Sequence, residues 1–201
     1  MNAMQFYLAL DLELNNAKDG STLNPKIIQV GVAIGTVDHY DEKCIIKKKW
    51  YLDPHEPIFP FITELTGITD QDIREKAVSH QQVAKELGEL IAYYKPFVNP
   101  VVWGGADSRE LKQEMLERNV PFPYFGRREI DVKTWWLLHK ISKSQGLTGG
   151  LRSALTYFKM HFEGEQHRAD DDAFNTLRLF FKMIEVQSHF NQVIELVKRN
   201  C

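Results

Sequence analysis

The chain has 201 residues, with 25 lysines and arginines against 27 aspartates and glutamates, and therefore a formal net charge of −2. This length is sufficient for one sizeable hydrophobic core and short for two. The nearly balanced charge argues against a long footprint on duplex nucleic acid, but it is compatible with a short single strand held in a cleft.

Cysteine usage and hydropathy predict a cytoplasmic protein without a membrane partner. Cys44 and Cys201 lie far apart and form no CxxC motif, which is typical of a reduced compartment. The N-terminus has no basic stretch leading into an apolar one, so no signal peptide is expected. No apolar run approaches the roughly 18 residues that a membrane helix needs.

The first quarter of the chain predicts three strands in succession. Residues 4–14 form an apolar run, residues 27–34 a β-branched run, and residues 44–52 a run that begins apolar and ends aromatic. A polar loop at 15–25 and a turn-like stretch at 37–42 connect them. Such short connections favour an antiparallel meander.

The rest of the chain predicts mainly helices with short strands between them. Pro54, Pro57 and Pro60 mark an irregular crossing segment, and Ser79 is a suitable N-cap for the helix that follows it. The remaining predicted elements are helices over 79–94, 108–118, 135–141, 147–160, 168–186 and 190–198, and short strands over 100–103 and 129–132. This order fits one α/β domain with a mixed sheet.

Acids stand next to apolar segments at three separated places in the chain. Asp11 and Glu13 lie in the first predicted strand, Asp107 follows the fourth, and His167 precedes Asp172 by five residues. Burying a carboxylate costs several kcal/mol unless something compensates it. Divalent cations are the natural compensation because hard cations prefer oxygen ligands. The pattern therefore predicts a metal-dependent nuclease site.

The first two motifs also have plainer interpretations. Residues two apart on a strand face the same way, so Asp11 and Glu13 would repel each other unless a cation lies between them. They could equally be solvated acids on an edge strand. Asp107 follows Gly-Gly-Ala and is a typical helix N-cap, a role that can coexist with metal binding.

The third motif is the sharper signal. Asp172 lies just over one helical turn beyond His167, so both can border one pocket, where a histidine is suited to act as a general base. The plainer alternative is a surface pair. Asp170 and Asp171 are expected to be solvated acids of the first helical turn, where the helix dipole favours them.

Together these motifs resemble the DEDDh group of 3'-5' exonucleases, the DnaQ-like proteins with a ribonuclease H-like fold. The matches are Asp11-x-Glu13, Asp107 and His167-x-Ala169-x-x-Asp172, supported by Ile28-Gln29-Val30-Gly31, by Leu65-Thr66-Gly67-Ile68-Thr69, and by Asp131 at the head of a later helix. The resemblance runs from about residue 5 to 187, within a single expected exonuclease domain over residues 1–201.

Two departures from the family pattern concern the substrate. The DxE motif is followed by Leu14-Asn15-Asn16 where family members often have Thr-Thr, and Asp107 is preceded by Trp103-Gly104-Gly105-Ala106 where His-Asn is usual. The Trp-Gly form, with Phe162-Glu163-Gly164 before the histidine, is similar to the Eri-type branch that trims small RNAs. The choice between RNA and DNA therefore stays open.

The resemblance implies a mixed five-stranded sheet flanked by helices and an enzyme that releases nucleoside monophosphates from the 3' end of single-stranded RNA or DNA. It implies two Mg²⁺ or Mn²⁺ ions, with Asp11 on both, Glu13 and Asp172 on one, Asp107 on the other, and His167 as the general base.

The resemblance also implies substrate contacts. It places Leu14 and Asn15 beside the terminal sugar and makes Leu65 and Ile68 candidate contacts to the last base, with packing as their alternative role. Trp103 is expected to belong to the core. Single-stranded 3' ends are the expected partner, and a homodimer and a place in a larger nucleic-acid-processing complex both stay open.

Two competing interpretations come from other functional classes. One is a catalytically idle nucleic-acid-binding or scaffold module on the same fold, which the intact set of five site residues disfavours. The other is a zinc enzyme that uses His161 and His167 with an acid. Zinc sites favour more histidine or cysteine ligands than this pattern offers.

Overall fold

A five-stranded mixed sheet forms the centre of the molecule. The structure, a computed structural model, describes residues 5–37, 44–123 and 128–199. The strands are β1 (Phe6–Asn15), β2 (Lys26–Thr36), β3 (Ile46–Tyr51), β4 (Val101–Val102) and β5 (Ile130–Asp131), in the order β3-β2-β1-β4-β5. The first three pair antiparallel, whereas β4 runs parallel to β1 and β5 parallel to β4. The predicted mixed sheet is confirmed.

Helices flank this sheet. They are α1 (Pro60–Thr66), α2 (Asp70–Lys76), α3 (His80–Tyr94), α4 (Asp107–Glu117), α5 (Val132–Ser142), α6 (Leu151–Tyr157) and α7 (Ala169–Arg199). The predicted N-cap of α3 is confirmed, because Ser79 Oγ accepts a hydrogen bond from Gln82 N. Among the helices of the described residues, none combines the length and the apolar composition needed to cross a membrane.

The alternation of side chains along β1 separates two layers of the core. Leu8, Leu10 and Leu12 lie in the same cluster as core residues of α3 and α4. Ala9 lies in a second cluster that contains buried residues of α5, α6 and α7. Because strand residues two apart share a face, Asp11 and Glu13 belong to the face that α7 covers.

The N-terminal end of α7 lies directly on β2. A Cβ atom on Gly31 would collide with the backbone of Ala169, so glycine permits this close approach. Gln29 Oε1 accepts a hydrogen bond of 2.8 Å from Ala169 N. Gly31 pairs with Asp11 and Gln29 with Glu13 in the sheet register. The two contacts therefore place the start of α7 beside the two acids of β1.

The segment predicted as an irregular crossing contains two short helices. Pro60 begins α1, and Gly67 ends it in the left-handed conformation. In α2, the side chain of Thr69 accepts from Asp72 N while the carboxylate of Asp72 accepts from Thr69 N, which completes a capping box. The start and end of α1 and the start of α2 therefore carry ordinary helix signals. The density of prolines before residue 60 obscured them.

Two other predictions about elements need correction. The two helices predicted over 168–186 and 190–198 are one helix, α7, because Gln187, Ser188 and His189 include no helix breaker. The helix predicted over 147–160 is shortened to α6, which begins after Gly150. The turn predicted over 37–42 falls largely outside the described residues.

Candidate active site

The structure brings the predicted acids and histidine together at one end of the sheet. Asp11 and Glu13 lie towards the end of β1, and Asp107 begins α4 shortly after β4, the parallel neighbour of β1. Asp172 lies in the first turn of α7. Oxygen or nitrogen ligand atoms of Glu13, His167 and Asp172 lie within 4.8 Å of one another.

Asp107 reaches this site through a two-glycine turn. A Cβ atom on Gly105 would collide with the carboxylate of Asp107, so the absence of a side chain at 105 makes room for it. The expectation that Asp107 caps α4 is wrong. The helix begins with Asp107 itself, and its N-cap is Ala106, which makes no side-chain hydrogen bond.

His167 and Asp172 are linked through the backbone. His167 has a positive φ of 60°, and its backbone N donates a hydrogen bond of 2.7 Å to Asp172 Oδ2. Asp172 N donates in turn to Arg168 O at 2.8 Å. The left-handed residue thus turns the chain into α7 and orients the carboxylate of Asp172, while His167 itself remains exposed.

Burial and mutual repulsion disfavour the charged form of the two acids on β1. Burial, followed by the charges of Asp107, Glu13 and Asp172, raises the pKa of Asp11 well above its ordinary range. Burial, followed by the charge of Asp172, raises the pKa of Glu13 to about 8, and nearby Arg168 partly offsets this shift.

The other two acids share this behaviour. Burial raises the pKa of Asp107 to about 7, with further contributions from Glu129 and Glu110. Burial raises the pKa of Asp172 to about 6, against the hydrogen bond that it accepts from His167 N. Without a compensating positive charge, four neighbouring carboxylates that resist ionisation destabilise the folded protein.

The donor set fits divalent cations that prefer oxygen. Carboxylate oxygens dominate it, which suits Mg²⁺ or Mn²⁺ better than Zn²⁺. Within the described part of the chain, Glu13, His167 and Asp172 are the one grouping of three or more such ligands with this spacing. His161 does not belong to it, so the structure gives no support to a zinc site built on His161 and His167.

The expectation that Asp170 and Asp171 are solvated is wrong. Both are buried, and lysines of β3 pair with them: Lys49 Nζ lies 3.1 Å from Asp170 Oδ1, and Lys47 forms a close ion pair with Asp171. Asp171 Oδ2 also accepts a hydrogen bond from Glu165 N at 2.9 Å. These acids hold the start of α7 against the edge strand of the sheet.

The residues predicted to contact substrate differ in their surroundings. Leu14 is partly buried, Leu65 is 39% exposed near the end of α1, and Ile68 is fully buried in a cluster with Ile28 and Ile62. Their contact with substrate stays a prediction. Trp103 is half-buried, with its ring 5.7 Å from that of Trp136, and packs against the cluster beneath α7.

Asn15 has a structural role that sequence reasoning missed. Its side chain is fully buried, and its Nδ2 donates to Glu56 Oε1 at 3.0 Å and to Pro57 O at 3.1 Å. Its Oδ1 accepts from Phe59 N at 2.9 Å. The amide thus joins the end of β1 to the segment that leads into α1. An asparagine at the end of an apolar strand was the available signal.

Arg168 is the second residue that sequence reasoning missed. Its Nη2 would lie 3.2 Å from a Cβ atom on Gly67, and its Nη1 is buried with no hydrogen-bond partner in the described structure. The guanidinium therefore lies between the turn after α1 and Glu13, whose pKa it lowers. The position directly after His167 was the available signal.

The sheet order and the acid cluster are those expected of a DEDDh exonuclease on a ribonuclease H-like fold. The model of the exonuclease family, described as Exonuclease (RNase_T), matches residues 8–180. The chain belongs to this exonuclease family. The predicted family and the predicted enzyme class, a 3'-5' exonuclease, are thereby confirmed.

Two curated proteins illustrate the relationship. The chain is 25% identical over 170 residues to "Probable 3'-5' exonuclease KapD" of Bacillus subtilis (strain 168), which covers 83% of this chain and 76% of KapD. It is 28% identical over 85 residues to "Small RNA degrading nuclease 3" of Arabidopsis thaliana, which covers 42% of this chain and 10% of that protein.

Solved structures share the fold. The nuclease domain of 3'hExo, a DEDDh family member bound to rAMP, has a TM-score of 0.76 at 16% identity and covers 92% of this chain and 94% of that domain. Cell-death related nuclease 4 (CRN-4) has a TM-score of 0.77 at 17% identity, over 91% of this chain and 64% of CRN-4. The predicted fold class is confirmed.

Proposed function

We propose that this protein hydrolyses single-stranded nucleic acid from the 3' end and releases nucleoside monophosphates, with two Mg²⁺ or Mn²⁺ ions. One observation carries the proposal: Asp11, Glu13, Asp107 and Asp172 converge from three elements, and burial raises the pKa of each. The charges of other acids in this set raise the pKa values of Asp11 and Glu13 further. Bound cations would relieve the cost of bringing these charges together.

The four carboxylates would divide between the two ions. Asp11, whose pKa responds to the charges of the other three, would contribute to holding both ions. Glu13 and Asp172 would complete one site, and Asp107 would support the other. When bound, the ions supply Lewis acidity at the scissile phosphate and neutralise charge that develops on the departing 3' oxygen.

His167 is the general base in this proposal. Its exposed position at the entrance to α7 lets the imidazole take a proton from the attacking water, while its backbone N holds Asp172. The attacking water adds to phosphorus in line as the bond to the 3' oxygen breaks, so no protein nucleophile is required.

In this proposal, the 3' end of the nucleic acid is held between β1 and α1. The backbone at Leu14 and Asn15 lies beside the terminal sugar, exposed Leu65 contacts the last base, and Ile68 supports the turn next to it. RNA is at least as good a substrate as DNA. Two similar proteins support this choice: a small RNA degrading nuclease, and a 3'-exonuclease with 3'-end specific recognition of a histone mRNA stem-loop.

The proposal extends to the domain organisation, the location and the assembly of the protein. A single exonuclease domain over residues 1–201 fits a sheet whose helices bury it on both faces. The free thiol of Cys44 fits a cytoplasmic location. Both a homodimer and membership of a larger nucleic-acid-processing complex are compatible with these features.

The test uses single-stranded RNA and DNA of one sequence, each labelled at the 5' end and supplied with a free or a blocked 3' end. We expect a ladder that shortens from the free 3' end in Mg²⁺ or Mn²⁺, with nucleoside 5'-monophosphates as products and no reaction in EDTA. Equal cleavage of the blocked strands, or activity that survives EDTA, would reject the proposal. Binding without hydrolysis would favour the idle binding module.

A further inference from the structure

Lys133 occupies a position that helix formation alone does not explain. It lies in the first turn of α5, two residues after the N-cap Asp131. A cation at a helix N-terminus is opposed by the helix dipole. Such a local conflict in an otherwise well-capped helix often marks a functional residue.

The side chain of Lys133 lies across the loop that carries Asp107. A Cβ atom on Gly104 would collide with Cδ of Lys133 and would lie 3.2 Å from its Cβ. Gly104 has a positive φ of 67°, a conformation that favours glycine. The glycine therefore makes room for the lysine stem and shapes the turn at the same time.

Asp131 holds the lysine and the loop in register. Its Oδ1 accepts hydrogen bonds of 2.9 Å from both Gly104 N and Lys133 N. Its other oxygen accepts from Thr134 Oγ1. The backbone of Lys133 is thus linked through Asp131 to the loop that carries Asp107. Gly104 lies three residues before Asp107 in this loop.

The ammonium group of Lys133 has no partner among the residues that the structure describes. Across the described ranges it takes part in no ion pair or hydrogen bond, whereas Lys47, Lys48 and Lys49 of β3 all pair with acids. Lys140, on the same helix, donates to Thr148 O at 2.8 Å and lies over the ring of Trp136. Lys133 therefore offers an unshared positive charge at the edge of a site made of acids.

We infer that Lys133 Nζ binds a phosphate oxygen of the nucleic-acid strand, at a phosphodiester beside the scissile one. This inference rests on the proposed exonuclease function. Acidic side chains repel the strand, and lysine is a common point-charge ligand for phosphate. The contact is to the backbone and carries no base preference, so it serves RNA and DNA alike.

The test measures binding of a single-stranded RNA to the Asp11→Asn protein in Mg²⁺, by fluorescence anisotropy at several salt concentrations. Loss of one phosphate contact should reduce the slope of log K against log salt by about 0.7. We expect this reduction in Lys133→Gln, with weaker binding to RNA and DNA of any sequence. Lys133→Arg should keep the wild-type slope, because it keeps the charge.

Lys140→Gln is the matched control, since it removes the same charge from the same helix. Its slope should equal that of the parent protein. Gly104→Ala is a second way to displace the lysine and should reproduce the slope of Lys133→Gln. If the slopes of Lys133→Gln and Lys140→Gln are equal, the inference is overturned.

A kinetic measurement separates this inference from the proposed function. In the wild-type background, Lys133→Gln should raise KM with a smaller change in kcat, and the KM should depend less on salt. If wild-type protein degrades 3' ends but Lys133→Gln has an unchanged KM and salt dependence, only the role of Lys133 fails. If wild-type protein neither degrades nor binds strands, the proposed function and this inference both fail.

Discussion

Asp11 is the site acid whose pKa responds to the charges of all three other site carboxylates. Its pKa is raised by burial and then by three other carboxylates. At pH 8 this carboxyl would be ionised in water. The folded protein must either keep it protonated or accept repulsion among the ionised carboxylates of the cluster. Both options cost folding free energy, at about 1.4 kcal/mol for each pKa unit. Asp11 is therefore unfavourable for stability without metal, whereas the proposed function requires it for catalysis.

The first prediction is that Asp11→Asn separates these two effects. We expect kcat to fall by orders of magnitude, while the Tm in EDTA at pH 8 rises by at least about 2 °C, because 1 kcal/mol shifts the Tm of a chain this long by about 2–4 °C. Glu89→Gln, at an exposed acid on α3, is the control and should change neither quantity. Near-normal turnover in Asp11→Asn would reject the assigned site.

The second prediction concerns His167 as the general base. In the wild-type protein at saturating metal, kcat should rise with pH, because a general base must be unprotonated to accept the proton of the attacking water. His167→Ala should lower kcat by about 100- to 10,000-fold and should abolish this rise, because general-base catalysis has that magnitude. Single-turnover rates across pH, on protein shown to be folded by circular dichroism, provide the measurement.

A structural role for His167 would give a different result. The hydrogen bond from His167 to Asp172 comes from the backbone, which alanine retains. If the histidine only shaped the start of α7, the variant would be less stable but its folded fraction would show the wild-type pH profile. That outcome would remove His167 from the mechanism.

At the scale of elements, the site depends on how α7 docks onto β2. The helix begins where Gly31 and Gln29 face it, opposite Asp11 and Glu13 in the register. Further along the same strand, Gly35 faces the side chains of Leu177 and Phe181. Small residues on β2 thus set the depth of the whole helix, and with it the position of Asp172.

The third prediction is that Gly31→Ala displaces the start of α7. The new Cβ would meet the backbone of Ala169, which cannot move without the helix, so we expect a loss of about 1–3 kcal/mol in unfolding free energy. The kcat should fall by about 100-fold, because a shift near 1 Å in a reacting group has that cost. Urea unfolding and turnover are the two measurements.

Gly35→Ala is the matched control for this variant. Its new Cβ would meet side chains, at 3.0 Å from Ile45 and 3.3 Å from Phe181, which can rotate without moving the helix backbone. We expect a stability loss in this variant with kcat retained. Equal loss of kcat in both variants would show that general destabilisation, and not the position of the helix start, controls activity.

At the scale of the whole molecule, the acid cluster couples folding to pH and to metal. The pKa values of Glu13, Asp107 and Asp172 are raised to about 8, 7 and 6, above the values of roughly 4 expected in the unfolded chain. Between these limits the folded state binds more protons than the unfolded state. The contribution of these three acids to stability without metal therefore falls as the pH rises from about 4 to about 8.

The fourth prediction is that the Tm in EDTA is higher at pH 5.5 than at pH 8.5. His139, whose pKa is lowered by burial, acts in the opposite direction, so the comparison with Asp11→Asn is needed to isolate the cluster. Addition of Mg²⁺ or Mn²⁺ should raise the Tm more at pH 8.5 than at pH 5.5, and less in Asp11→Asn. A metal effect that is independent of pH and equal in both proteins would contradict this account.

Much of the site could be predicted because its residues are local in the sequence or lie in recognisable motifs. The Asp11–Glu13 pair follows from strand periodicity, and the spacing of His167 and Asp172 follows from helix geometry. The N-cap Ser79 was visible for the same reason, since capping involves residues only two or three apart. The buried state of Asp170 and Asp171 was not visible, because their partners come from β3.

The sequence by itself determined the alternation of the strands, the boundaries of α3 and α4, and the five residues that the proposed function requires at one site. These depend on interactions within a few residues of chain. Only the tertiary structure decided that Asp170 and Asp171 are buried against β3, that Asn15 joins β1 to the approach to α1, and that Lys133 lies across Gly104. Each of these depends on which distant segment packs against a residue, and a local pattern of residue types does not specify that partner.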